Sequence, residues 1–157
     1  ELEDQMRVLE DLKKKGIIRA HGISCHSLPA LEAATKVPWV DSIHARINPY
    51  ATKMDAPPAK VVPVLQKLHK QGKGIIGIKI IGEGRFGKHP EKRDLSIDYV
   101  LNLGCVDTMV VGFEKINEID DFAMRICKTP RRCAPPPLPI PDHAYYEDNS
   151  TLGLRIT

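Results

Sequence analysis

Aromatic residues are scarce. Phe, Trp and Tyr together make up 5% of the 157 residues, which leaves no platform for stacking the bases of a single strand. Charge of one sign is lacking too. The 23 Lys and Arg are interspersed with 20 Asp and Glu for a net +3, so no clustered basic face marks a nucleic-acid binder. No apolar run is long enough to cross a bilayer, and no signal-peptide pattern opens the chain, so no membrane role is expected. Cysteine is sparse. Cys25, Cys105, Cys127 and Cys133 include no Cys-x-x-Cys spacing, which gives no footing for a zinc or iron–sulfur site, and no metal is expected. All four read as reduced thiols and the compartment as cytoplasmic, with Cys105 in the core and Cys127–Cys133 the one pair weighed as a disulfide. The sequence starts at Glu1 rather than methionine, which leaves an upstream segment open. The length suits one domain with a real core.

What the chain does have is a run from Gly74 to Gly84, Gly-Ile-Ile-Gly-Ile-Lys-Ile-Ile-Gly-Glu-Gly. Its β-branched middle lacks helical spacing and reads as a strand buried on both faces, as in a parallel sheet covered by helices. Lys79 interrupts it and must pair, reach solvent or meet a ligand. Gly82 and Gly84 permit a sharp turn and close approach to a ligand. Ligands of parallel α/β folds sit beyond the carboxyl ends of the strands, so a site is expected here. A plain tight turn is the competing reading.

The rest alternates in the same way. Residues 1–15 carry Leu2, Met6, Leu9 and Leu12 on one face of a helix, with acids at its start, lysines at its end and Gly16 as its stop. Strands are expected at Ile17–Ser24, Trp39–Ile47 and Val106–Gly112. Helices are expected from the Ser27 cap to about Lys36, from about Ala59 to Gln71, from an Asp94 cap over Leu95–Leu103, and from about Asn117 to Cys127. Residues 82–94 read as a basic loop, either solvated or a lid over an anionic ligand. Short connections between alternating strands and helices imply parallel β/α units with right-handed crossovers, and four such units are half of a (β/α)8 barrel. The expected organisation is a half-barrel over 1–128. Residues 129–157 form a tail, extended or disordered, with six prolines in 129–141.

In their order and spacing, several segments resemble the aldo/keto reductases. Gly22-Ile23-Ser24-Cys25-His26-Ser27 is similar to that family's Gly-Val-Ser-Asn turn after barrel strand five. Asp41 to Tyr50 resembles strand six, which ends in a similar Pro-Tyr. Ile78 to Gly84 sits where the family has Tyr-Ser-Pro-Leu-Gly-x-Gly after strand seven, and Val106 to Asp121 resembles strand eight and its helix. The resemblance covers roughly residues 1–127, the C-terminal half of the barrel (strands 5–8). It is nearest to a divergent subgroup with Met/Ile-Lys in strand seven.

The resemblance implies NAD(P)H-dependent hydride transfer to a small-molecule carbonyl. The family's catalytic tyrosine, lysine, aspartate and histidine lie in the N-terminal half, before the residues matched here, so no catalytic residue carries over. This chain alone is expected to be inactive. Cofactor-binding positions do carry over. Ser24 falls at the serine that holds the carboxamide, His26 lies beside it, and His44 falls at the strand-six glutamine that also contacts the carboxamide. Ile78 replaces the tyrosine that stacks on the nicotinamide. Lys79, Ile81, Gly82 and Gly84 line the pyrophosphate loop. Gly112, Phe113 and Glu114 fall at the adenosine ribose. A carboxylate at Glu114 repels a 2′-phosphate and accepts from ribose hydroxyls, so NADH is expected over NADPH. Glu114 facing solvent is the competing reading.

Two other readings compete with the enzyme. A half-barrel leaves strand edges open at Ile17–Ser24 and Val106–Gly112, which invites pairing into a homodimer or an interaction module. An unrelated phosphate-binding barrel would use Lys79 and Gly82–Gly84 in the same way.

Overall fold

Each strand is short and is followed by a helix that returns over the sheet. In order, the elements are α1 (Leu2–Lys14), β1 (Gly22–Ser24), α2 (Leu28–Ala34), β2 (Ser42–Arg46), α3 (Pro58–Lys70), β3 (Gly74–Ile78), α4 (Pro90–Leu101), β4 (Thr108–Met109), α5 (Ile116–Lys128) and β5 (Arg155–Ile156). The computed structural model describes residues 2–130 and the pair 155–156. The sheet order is β4-β3-β2-β1-β5. The first four strands are mutually parallel. Strands that neighbour one another in chain order through right-handed crossovers keep their helices on one face, the winding of a barrel rather than of a doubly wound sheet. The expected half-barrel of four parallel β/α units is therefore the fold observed.

Local chemistry accounts for the helices. Ser27 has extended backbone and its Oγ accepts from the Ala30 N–H at 3.3 Å, with Pro29 in the first turn of α2. In α3, Pro58 opens the helix, and Val61, Leu65 and Leu68 recur on the buried face. That face meets Ile43 and Ile75, both fully buried, in the core. Asp41 fixes the start of β2 by accepting from the His21 N–H at 3.0 Å and the Lys13 ammonium at 2.5 Å. These bonds hold its carboxyl below the ordinary range although burial opposes them.

Several expectations are corrected. The strands are shorter than read, with three residues in β1, five in β2 and two in β4. The central strand is not buried on both faces. Ile75 and Gly77 are buried, whereas Ile76 and Ile78 are only half-buried. One face packs on helices and the other lines the inside of the half-barrel. Helix α4 starts at Pro90 behind the N-cap residue His89, not at Asp94, so the basic segment is a turn only through residue 89. That turn is anchored, since Phe86 is buried and meets Tyr50 edge to face at 5.0 Å.

The edges differ from expectation too. β5 pairs antiparallel with β1, setting Ile156 opposite Ile23 and Arg155 opposite Ser24. The β1 edge is therefore covered, and β4 is the edge left open among the described strands. The rest of the 129–157 tail beyond Pro130 lies outside the described residues, as does Cys133. Cys25 and Cys105 are buried free thiols and Cys127 is an exposed one. Among the described residues no helix is long and apolar enough to cross a membrane, and no cluster of metal-ligating side chains occurs.

Candidate functional site

The parallel register sorts the residues of the strands into rows. Ile23, Ile43 and Ile75 form one row and face the helices. The next row is Ser24, His44, Ile76 and Thr108, on the opposite face. Its exposure rises across the sheet, from buried Ser24 through half-buried His44 and Ile76 to exposed Thr108. The row is closed where β5 covers β1 and open at β4. Ser24 and His44, separated by 20 residues in sequence, are thus lateral neighbours.

One row higher, Arg46 lies opposite Ile78. Its guanidinium reaches His26 Nδ1 at 2.8 Å and donates to Asp55 at 3.2 Å. Arginine stays protonated and has no acceptor, so the facing His26 Nδ1 is the acceptor of this bond. Burial raises the Asp55 carboxyl above its usual value and Arg46 draws it back. Arg46 Nε is buried and has no hydrogen-bond partner among the described residues. Sequence reasoning did not single out Arg46 or Asp55, since a strand arginine carries no signal by itself.

Beyond Ile78 the backbone leaves the strand abruptly. Lys79 has φ +59°, Glu83 +58°, Gly82 +61° and Gly84 +82°. A side chain on Gly82 would stand 2.8 Å from the Phe86 ring, whereas Gly84 opens onto free space. Lys79 pairs with Glu83 at 2.5 Å, one of the outcomes expected of it. Lys53 reaches the other oxygen of the same carboxylate at 3.5 Å. The lysine pair holds the Glu83 carboxyl below its usual value, Lys79 contributing most. Ile81 is half-buried within the turn.

Asn48, fully buried at the end of β2, joins this turn to the loop after β2. Its side-chain amide donates to the carbonyls of Thr52 at 2.8 Å and Lys79 at 3.1 Å. Its side-chain oxygen accepts from the N–H groups of Tyr50 and Thr52, each at 3.1 Å. In sequence, Asn48-Pro49-Tyr50 reads only as the close of the strand. A buried asparagine with four side-chain bonds shows instead that it positions both loops.

Gly112, Phe113 and Glu114 follow β4 in an exposed segment leading into α5. Phe113 packs edge to face on Phe122 at 5.5 Å. Glu118 accepts from the N–H groups of Glu114 and Lys115 at 2.9 and 3.2 Å, capping α5. The Glu114 side chain is exposed, as its solvent-facing reading requires.

A sequence model of the aldo/keto reductase family matches residues 1–99. No curated protein matches the chain. Among solved structures, the holo form of the aldo-keto reductase AKR11C1 from Bacillus halodurans is similar, with a TM-score of 0.63 and 18% identity over 83% of this chain and 52% of that one. The chain thus spans about half the length of that structure.

Proposed function

The chain belongs to the aldo/keto reductase family, and on that premise we propose that it is the dinucleotide-binding half of an NAD(P)H-dependent carbonyl reductase. The observation that carries this reading is the lateral pairing of Ser24, the last residue of β1, with His44 in the middle of β2, on the strand next to β3 and its left-handed turn. Ser24 and His44 offer polar atoms to a carboxamide. Lys79 offers charge to a diphosphate, and the backbone at Ile81, Gly82 and Gly84 can approach it closely. Gly112, Phe113 and Glu114 face the adenosine end. The arrangement fits such a ligand: open space adjoins Gly84 and Gly112, and the Arg46 Nε–H has no acceptor among the described residues.

A bound NAD(P)H would supply hydride to a carbonyl carbon. The residues of this chain bind and orient. The proton for the carbonyl oxygen comes from groups outside the matched half, so the chain alone is expected to bind cofactor without turning over substrate. The reduced thiols fit a cytoplasmic setting. Family membership replaces the alternative of an unrelated phosphate-binding barrel.

Titration of the purified chain with each cofactor, followed by nicotinamide fluorescence, tests the reading. Saturable binding with NADH tighter than NADPH is expected, because the Glu114 carboxylate repels a 2′-phosphate, and Glu114→Arg is expected to shift the preference toward NADPH. A folded chain that binds neither overturns the reading.

One observation favours an interaction module. The open β4 edge continues into apolar surface, with Val110 56% and Ile116 81% exposed, and with Ile119 and Met124 on α5 also exposed. A second copy pairing along β4 would cover it. Sedimentation at micromolar concentration is expected to show a dimer if this holds, and Val110→Lys is expected to return it to monomer. A monomer across that range removes the second reading.

A further inference from the structure

Three charged residues beside the candidate site share an uncommon backbone. Lys53 has φ +56°, Lys79 +59° and Glu83 +58°. None has the short amide or carboxylate that makes the left-handed region tolerable by local hydrogen bonding. Each such residue costs of order 1 kcal/mol or more and persists only where its surroundings enforce it. All three side chains meet. Glu83 Oε1 lies 2.5 Å from the Lys79 ammonium and Oε2 lies 3.5 Å from that of Lys53. The carboxylate is about half exposed, and an exposed ion pair contributes only about 0–1 kcal/mol. The pairing therefore does not offset the strain of the three residues that make it. Strain gathered at one place without a structural return marks a binding surface. Asn48 enforces it, bonding both to the loop that carries Lys53 and to the Lys79 carbonyl.

We propose that Lys53 and Lys79 form a two-lysine clamp for the diphosphate of a dinucleotide, and that the Glu83 carboxylate is a built-in occupant which the ligand displaces. The two ammonium groups are set apart by one carboxylate, so an anion with oxygens on both sides can take its place. Gly82 and Gly84 flank Glu83, which lets the carboxylate swing out without moving the Lys79 carbonyl held by Asn48. Lys53 lies 26 positions before Lys79 in a loop with no phosphate-binding pattern, so the sequence gives no sign of it. An internal competitor lowers the apparent affinity by the fraction of molecules in which it is seated. The identity of the ligand rests on the dinucleotide reading above. The clamp itself rests on the geometry.

The test is a titration of the full chain, Glu83→Gln, Lys53→Gln and Lys79→Gln with inorganic pyrophosphate by calorimetry and with NADH by fluorescence, after circular dichroism has shown each folded. Glu83→Gln is expected to bind both probes several-fold tighter than the unsubstituted chain. Lys53→Gln is expected to bind both about tenfold more weakly, the loss of one charge-assisted contact. Glu83→Gln that binds pyrophosphate no tighter, or Lys53→Gln that binds it equally well, overturns the clamp. NADH binding that none of the three substitutions alters overturns the clamp and leaves the proposed function standing. Pyrophosphate tightened by Glu83→Gln with no NADH binding supports the clamp and overturns the proposed function.

Discussion

Asn48→Ala is expected to lower the free energy of unfolding by about 3 kcal/mol, a large part of what holds a domain of this size together. Alanine removes both acceptors and donors from a fully buried position. The Tyr50 and Thr52 N–H groups lose the oxygen they donate to, and the Thr52 and Lys79 carbonyls lose the amide that donates to them. Each main-chain group left unpaired and buried costs about 1–3 kcal/mol. Tyr50, Thr52 and Lys79 are only half-buried, so water recovers part of this, and the sum is taken near the lower end. The consequence reaches the site, because the same amide ties Lys79 to the loop of Lys53. NADH affinity of the folded fraction is therefore expected to fall with stability. Asn48→Asp keeps the oxygen that accepts both N–H bonds but loses the donors and buries a charge, and is expected to be no better. Urea unfolding followed by circular dichroism measures the change. A midpoint unchanged in Asn48→Ala means that the loops are held by something other than this side chain.

What the sequence made legible was local and periodic. Ser27 before a Leu-Pro start announces a cap, and the cap is there. Val61, Leu65 and Leu68 announce the buried face of α3. The order and length of the strand–helix units announce a half-barrel, and parallel pairing then brings Ser24 beside His44 without further information. What was hidden depends on contacts distant in sequence. Pro90 to Arg93 have no apolar period, so the first turn of α4 read as loop, yet Arg93 reaches Asp121 at 3.7 Å and Arg125 of α5 pairs with Asp94. The left-handed backbone of Lys53 and Lys79 was invisible because lysine does not favour it. The same holds for Arg46, whose meaning comes from His26 and Asp55 brought to it by β1 and the loop after β2. Antiparallel pairing of Arg155–Ile156 with β1 was masked by the proline-rich stretch before it.

Stability is expected to fall steeply between pH 9 and 12, and the fall should begin before most surface lysines titrate. Three acids in the core hold their protons harder than they would in the unfolded chain. Burial, then the Asp55 carboxylate, pushes the Cys25 thiol from 9.0 to about 12. Burial, then Asp107, pushes Cys105 from 9.0 to about 11. Burial, then Cys105, pushes the Tyr99 hydroxyl from 10.0 to about 12. In each, the folded pKa lies above the unfolded one, so the folded state binds more protons between the two values. Stability is full below pH 9 and is lost as pH rises through the folded values. Each unit of displacement corresponds to about 1.4 kcal/mol, so the three together reach the order of the whole margin of a small domain. The ionised Cys105 adds to the burial that holds the proton on Tyr99, so the thiol gives up its proton first. Lys73 acts in the opposite sense: burial lowers its pKa, and the cost of its charge is relieved as pH rises. Lys73 is half-buried, with its ammonium on the Val37 and Val40 carbonyls, so solvent screens only part of that contribution. Urea midpoints at pH 8 and pH 10.5 measure the loss, and Cys25→Ala removes one of the three sources and should flatten the slope. Equal midpoints at the two pH values would mean that these groups reach water in the folded chain, and the packing of α4 against the sheet around Tyr99 and Cys105 would then be looser than the structure has it.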